Sequence, residues 1–132
     1  MEITVKLAGN KKVTAEFDGY RVVSDQPKED GGEALGPAPF DLFLASIATC
    51  AGYFVQSFCQ TRGIPTDDIL IVQSSEWDDE VHLIRKIDLE VRLPASFPEK
   101  YRASVIAAVN QCTVKKHLQQ PPQIQVVTRN QV

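Results

Sequence analysis

The chain has 132 residues, of which 43% are hydrophobic and 23% charged, with 7 Gly and 8 Pro. These values lie near globular averages, exclude disordered, collagen-like and low-complexity classes, and lead us to expect one domain spanning residues 1–132. Fourteen basic against seventeen acidic side chains leave a net charge of -3, so no basic excess advertises nucleic acid or an anionic membrane as a partner.

The N-terminus alternates, as Met1-Glu2-Ile3-Thr4-Val5-Lys6, and lacks a cationic stretch followed by an apolar run, which points to the cytoplasm. Ile3, Val5 and Leu7 share one face, as do Val13, Ala15 and Phe17. Gly9-Asn10 and Asp18-Gly19 supply hairpin turns, so a three-stranded meander is expected over the first 25 residues. The stretch from Asp25 to Ala38 collects turn formers and charge and reads as a long loop.

From Pro39 to about Arg62 the pattern is helical, started by proline and stopped by Gly63-Ile64-Pro65. Asp41 is its only charge before the final Arg62, so the helix is expected to be buried on nearly all sides. Ser46, Thr49, Gln56, Ser57 and Gln60 argue for a protein interior rather than a membrane. A strand is predicted from Ile69, and another over Val81 to Leu93, with Glu76 to Glu80 as the hairpin tip. Pro98 opens a second helix that carries Tyr101, Val105, Val109 and Cys112 on one stripe. Thr113 would cap a short third helix, and Ile124 and Val126 suggest a final strand.

Three cysteines, Cys50, Cys59 and Cys112, form neither a disulfide framework nor a zinc motif. In mid-helix, Cys50 is an inert small hydrophobe unless a cation approaches its sulfur, and Cys112 admits the same bland reading. Cys59 lies nine residues beyond Cys50, about 13 Å along a helix, too far to bridge to it. The acidic positions Asp67, Asp68 and Glu76 to Glu80 read as solvated edges, so no metal is expected. His82 and His117 lack a partner constellation, and Trp77 and Tyr20 stay unassigned.

The run Gly31-Gly32-Glu33-Ala34-Leu35-Gly36-Pro37-Ala38-Pro39-Phe40-Asp41-Leu42, with Ala45, Cys50 and Arg62-Gly63-Ile64-Pro65, resembles the OsmC/Ohr family of organic hydroperoxide reductases. Cys112-Thr-Val-Lys-Lys-His-Leu118 is similar to that family's second cysteine motif. The resemblance implies an α+β OsmC-like fold: an N-terminal meander, a long central helix, further strands and a second helix pair, in an intertwined homodimer.

It further implies a peroxidase that protects against oxidative stress. Cys50 would be the peroxidatic thiolate, becoming a sulfenic acid, and Cys112 would resolve it as a disulfide. No bound cofactor is implied, only an external dithiol reductant of the lipoyl type. Phe40, Leu44, Tyr53 and Phe54 are the candidate apolar wall for a small organic hydroperoxide.

In the family's peroxidases a Glu follows the proline that starts the helix and holds an Arg against the thiolate. Phe40 stands there in this chain, and Asp41, one place later, is turned by about 100° on the helix. This brings the chain nearer to the branch with Gly-Gly-x-x-x-Gly-Pro-x-Pro, and opens an alternative: a weakly catalytic or non-catalytic dimeric module binding a small apolar ligand. Among cations for Cys50, Arg21 ranks first, being the only Arg before it. Arg85 follows because it shares strand parity with Ile87 and Leu89.

Overall fold

Alternation broken by two hairpin dipeptides builds the first sheet: β1 (Thr4–Leu7), β2 (Val13–Phe17) and β3 (Tyr20–Ser24), antiparallel in that order. The computed structural model of the chain describes residues 1–131. Gly9, Asn10, Asp18 and Gly19 all take positive φ, as the tight turns demand. Two compact units are formed, Met1–Ser46 and a second from Ile47 onward.

In the first unit the loop after β3 is wound around one carboxylate. Asp25, 1% exposed, accepts N–H bonds from Gln26 at 2.7 Å, Leu35 at 3.2 Å and Glu33 at 3.3 Å. The Ser24 hydroxyl donates to the Pro37 carbonyl at 2.8 Å, and a 3-10 turn (Lys28–Asp30) lies between. The amide of Gln26 holds the Asp25 carboxyl below the ordinary carboxylate range. Burial opposes this, while the Leu35 and Glu33 amides and the charge of Lys12 reinforce it.

Because the folded-state pKa is depressed, the stabilisation is present above the unfolded carboxylate value of about 3.9 and fades as pH falls through the folded one. Asp25→Asn is therefore expected to lower Tm at pH 7, and the gap to wild type should narrow below about pH 4. Melting curves of both proteins across that range check it. A gap that widens on acidification would refute the role of the charge.

Helix α1 (Pro39–Gln60) begins in the first unit and ends in the second, within two residues of the expected stop. Asp41 turns its carboxylate back to accept the Ala38 N–H at 3.2 Å, so its charge closes the helix start. Coverage on all sides does not occur within one chain. Ile47, Ala51, Val55, Phe58 and Cys59 form the buried stripe, whereas Phe40, Phe43 and Tyr53 are exposed, Tyr53 by 65%. By length and composition alone α1 could cross a membrane; its buried stripe packs into the core of the second unit.

The second unit packs that stripe against Phe97, Val105 and Val109, with Ile69, Ile71, Leu89 and Val91 partly buried around them. Strands β4 (Leu70–Asp78) and β5 (Leu83–Arg92) pair antiparallel. β4 continues through Glu76 to Asp78 and β5 begins at Leu83 rather than Val81, so the tip lies at 79–82 rather than at Glu76 to Glu80. Glu76 pairs with Lys86 and Trp77 with Ile84, leaving Arg85 as the extra residue of a bulge. The bulge explains Arg85: it is exposed and out of the apolar row its parity suggested, while Ile84 is half-buried.

A 3-10 turn (Glu99–Tyr101) leads into α2 (Arg102–Val109), followed by α3 (Thr113–Gln119). The final strand expected at Ile124 and Val126 does not form. Residues 121–131 are neither helix nor strand, and Ile124, Val126 and Val127 remain exposed. Alternation makes a segment fit for a sheet, but a strand also needs a hydrogen-bonded neighbour, which this chain does not provide among the described residues.

Candidate functional site

The second unit brings two of its three cysteines together. Cys50 lies near the middle of α1 and is half-buried; Cys112 lies at the elbow between α2 and α3 and is 3% exposed. The elbow is tight: Gln111 donates its N–H to the Ala108 carbonyl at 3.0 Å and Cys112 its own to Val109 at 3.0 Å. These bonds end α2 before Cys112, which was expected on its buried stripe. Cys112 instead leaves the helical backbone, at φ -50° and ψ 125°, and caps α3, its sulfur accepting the Lys115 N–H at 3.5 Å. The cap is thus Cys112, one residue before the predicted Thr113. A cap needs non-helical backbone and an acceptor, and the Cys112 sulfur serves as one. Lys115 Nζ staples the elbow by donating to Asn110 Oδ1 at 2.7 Å.

Cys50 and Cys112 act on each other, and their thiols are driven in opposite directions. Burial would raise the Cys50 thiol. The Cys112 thiol and the backbone amides of Val114 and Thr113 overcome this, and Cys50 falls below the ordinary thiol value. Burial raises Cys112, and donating its S–H to Cys50 raises it further. Of the two, Cys50 is therefore the thiol that ionises first, and Cys112 the one that keeps its proton longer. The donors that favour the Cys50 anion are a thiol and two peptide amides. Sequence reading sought a side-chain cation; backbone amides carry no residue signature, so only the folded elbow reveals them.

Arg21 lies in the first unit, exposed on β3 and opposite Glu16 in the register with β2. Glu16 is held low by Lys6, which donates to its carboxylate at 2.9 Å, with Arg21 adding a smaller Coulombic pull. Cys59 is fully buried, and burial raises its thiol, with Arg62 opposing. It has the character of an inert core thiol.

A cavity of about 340 Å³ opens at Cys112. Ile47 of α1, Ile87, Leu89 and Val91 of β5, and Ile106 and Val109 of α2 make its apolar wall. Asn110, Lys115 and Leu118 complete it beside Cys112. None of Phe40, Leu44, Tyr53 and Phe54 lines it. Phe40 and Leu44 belong to the first unit, where Phe40 stacks on Phe43 at 5.5 Å, and Tyr53 meets Phe54 edge-on at 5.3 Å. The alternating row Ile87, Leu89, Val91 was legible in the sequence and is the signal that could have nominated this wall. Among the described residues no cluster of three His, Cys, Asp or Glu side chains could hold a metal ion.

Comparison with known proteins agrees with this layout. The family described as OsmC-like protein matches residues 30–127. No curated protein matches the chain in sequence. An OsmC-like protein from Mycoplasma pneumoniae is 21% identical, with 91% of this chain and 87% of that chain covered and a TM-score of 0.71. The organic hydroperoxide resistance protein OsmC from Legionella pneumophila is 19% identical over 90% of each chain, with a TM-score of 0.55. OhrB of Bacillus subtilis, an organic hydroperoxide resistance protein, is 19% identical over 92% of this chain and 93% of its own, with a TM-score of 0.54. These likenesses show a shared mixed α+β fold, and with a match spanning most of its residues the chain belongs to the OsmC-like protein family.

Proposed function

We propose that the chain reduces organic hydroperoxides with Cys50 as peroxidatic and Cys112 as resolving thiol, in defence against oxidative stress. The observation that carries this reading is the meeting of Cys50 with Cys112 at the elbow between α2 and α3, where the first thiol's pKa is lowered and the second's raised. The Cys50 thiolate attacks the distal peroxide oxygen, the O–O bond breaks, and the alkoxide takes the proton released by Cys112 to leave as an alcohol. Cys112, now a thiolate, displaces hydroxide from the Cys50 sulfenic acid and forms the disulfide; the hydroxide takes back from solvent the proton that Cys50 gave up on ionising and leaves as water. An external dithiol, lipoyl-like as in the family, returns both thiols by exchange and is itself oxidised to a disulfide.

The apolar cavity beside Cys112 supports a hydrocarbon-bearing substrate, at about 25 cal/mol per Å² buried. Arg21 is kept as the candidate cation that activates Cys50. A homodimer in the cytoplasm completes the proposal. Its support is apolar surface left open in a single chain, notably Val5 and Leu7 on β1, Tyr53 on α1, and Ile124 and Val126.

The test is the pH dependence of iodoacetamide alkylation, resolved by peptide mapping. Cys50 is expected to react with a midpoint below the ordinary thiol value and below those of Cys59 and Cys112. Cys112→Ala should move the Cys50 midpoint upward. One equivalent of cumene hydroperoxide should produce the Cys50–Cys112 disulfide. A Cys50 that stays unreactive below pH 9, with no disulfide formed, would favour the alternative module that only holds an apolar ligand.

A further inference from the structure

The segment Arg62-Gly63-Ile64-Pro65 takes no part in the thiol chemistry, yet it forms one wall of a separate recess of about 380 Å³. The recess lies beyond the end of α1, about 15 Å from Cys50 by the helical rise of ten residues to Gln60. Its opposite wall comes from Phe97 and from Lys100 and Tyr101 in the turn before α2. The floor is apolar and fixed: Phe97 is 4% exposed, and Tyr101 packs edge-on against Phe58 at 5.8 Å.

Two cations are held over this floor. The Arg62 guanidinium lies 3.7 Å from the centre of the Phe58 ring and 5.5 Å from that of Tyr101, and Lys100 Nζ lies 5.0 Å from Tyr101. Arg62 Nη1 donates at 3.0 Å to the Phe58 carbonyl and at 3.0 Å to Thr61 Oγ1. One edge of the planar group is therefore anchored, and Nε and Nη2 keep donors for a further acceptor. Neighbouring Arg102 is neutralised by Glu99 at 2.7 Å, but among the described residues neither Arg62 nor Lys100 has a carboxylate partner. Asp68 lines the recess without pairing to either, so the walls carry two positive charges against one negative.

Both cations line a recess whose walls carry a net positive charge, so an oxyanion is favoured there while the aromatic floor accepts an apolar body. From this we infer that the recess is a second ligand site, for a small organic oxyanion, a phosphate monoester or carboxylate carrying a flat apolar group. Arg62 and Lys100 bind the oxyanion; Phe97 and Tyr101 bind the body. The site is independent of the thiol pair and stands whether or not the chain reduces peroxides.

The experiment is an NMR titration of the ¹⁵N-labelled full chain with phenyl phosphate and with benzoate, using phenol and inorganic phosphate as controls. At least one of the two organic anions is expected to give saturable shifts at Gly63, Ser96 and Lys100, with Kd of about 0.1–1 mM, weakening as salt rises. Phenol and inorganic phosphate should each bind roughly tenfold more weakly. Arg62→Gln should weaken binding about tenfold and Lys100→Gln about threefold. Because Arg62 also packs on Phe58, Lys100→Gln on the exposed turn decides the matter if Arg62→Gln disturbs the fold. The inference is overturned if no organic anion saturates, if the organic anions bind no better than phenol or inorganic phosphate, or if Lys100→Gln leaves affinity unchanged.

Discussion

Cys50→Ser is expected to abolish hydroperoxide consumption, lowering kcat/KM by at least about 10³-fold, because a hydroxyl at neutral pH is neither ionised nor soft enough to attack the O–O bond. Cys112→Ser separates the two roles. It keeps a hydroxyl to donate to the Cys50 sulfur, so one equivalent of peroxide should still be reduced. The sulfenic acid then has no thiol to resolve it, and steady turnover with a dithiol should fall roughly tenfold or more as Cys50 oxidises further. Stopped-flow peroxide reduction gives the first quantity, and intact-mass measurement after successive peroxide additions gives the second. If Cys50→Ser consumed peroxide at the wild-type rate, the assignment of the nucleophile would be lost. If Cys112→Ser turned over like wild type, the resolving role alone would be lost.

The asymmetry behind those expectations was only half legible in the sequence. The pairing of Cys50 with Cys112 follows from the resemblance to the OsmC/Ohr family, and the two thiols do influence each other's ionisation. What lowers Cys50 could not be read, since amide donors from Thr113 and Val114 depend on α2 ending at Val109 and α3 restarting at once. Local elements were read well where a single period ruled. The meander, with Asn10 and Asp18 at positive φ, is such a case, and so is α1.

Errors arose where tertiary neighbours decide. Arg85 left its apolar row through a bulge that alternation does not encode. Ile124 and Val126 carry a strand pattern without a strand beside them. In each case periodicity identified an apolar face but not what that face meets.

The second large effect is expected in the loop around Asp25. Gly32→Ala should destabilise the chain by about 3 kcal/mol, a fall of roughly 10 °C in Tm. A Cβ there overlaps the Gln26 carbonyl oxygen and lies 2.5 Å from its carbon and 2.9 Å from Asp25 Oδ1. That carbonyl already accepts the Ala34 N–H at 3.1 Å, and Asp25 Oδ1 accepts the Gln26 N–H, so a methyl group cannot enter without displacing both bonds. Gly36 is held alike, a Cβ there overlapping the Val23 carbonyl oxygen. Gly32 and Gly36 of the Gly31 to Pro39 run are thus needed for close backbone approach, and Gly31 for its positive φ. Gly52→Ala supplies the contrast: its Cβ would meet Ile71 Cδ1 at an ordinary 3.6 Å, and alanine favours the helix interior by about 0.5–1 kcal/mol. Urea unfolding of the three proteins should rank Gly52→Ala at or above wild type and Gly32→Ala well below it. Equal midpoints for Gly32→Ala and wild type would show that the loop yields, and that its glycines serve something other than packing around Asp25.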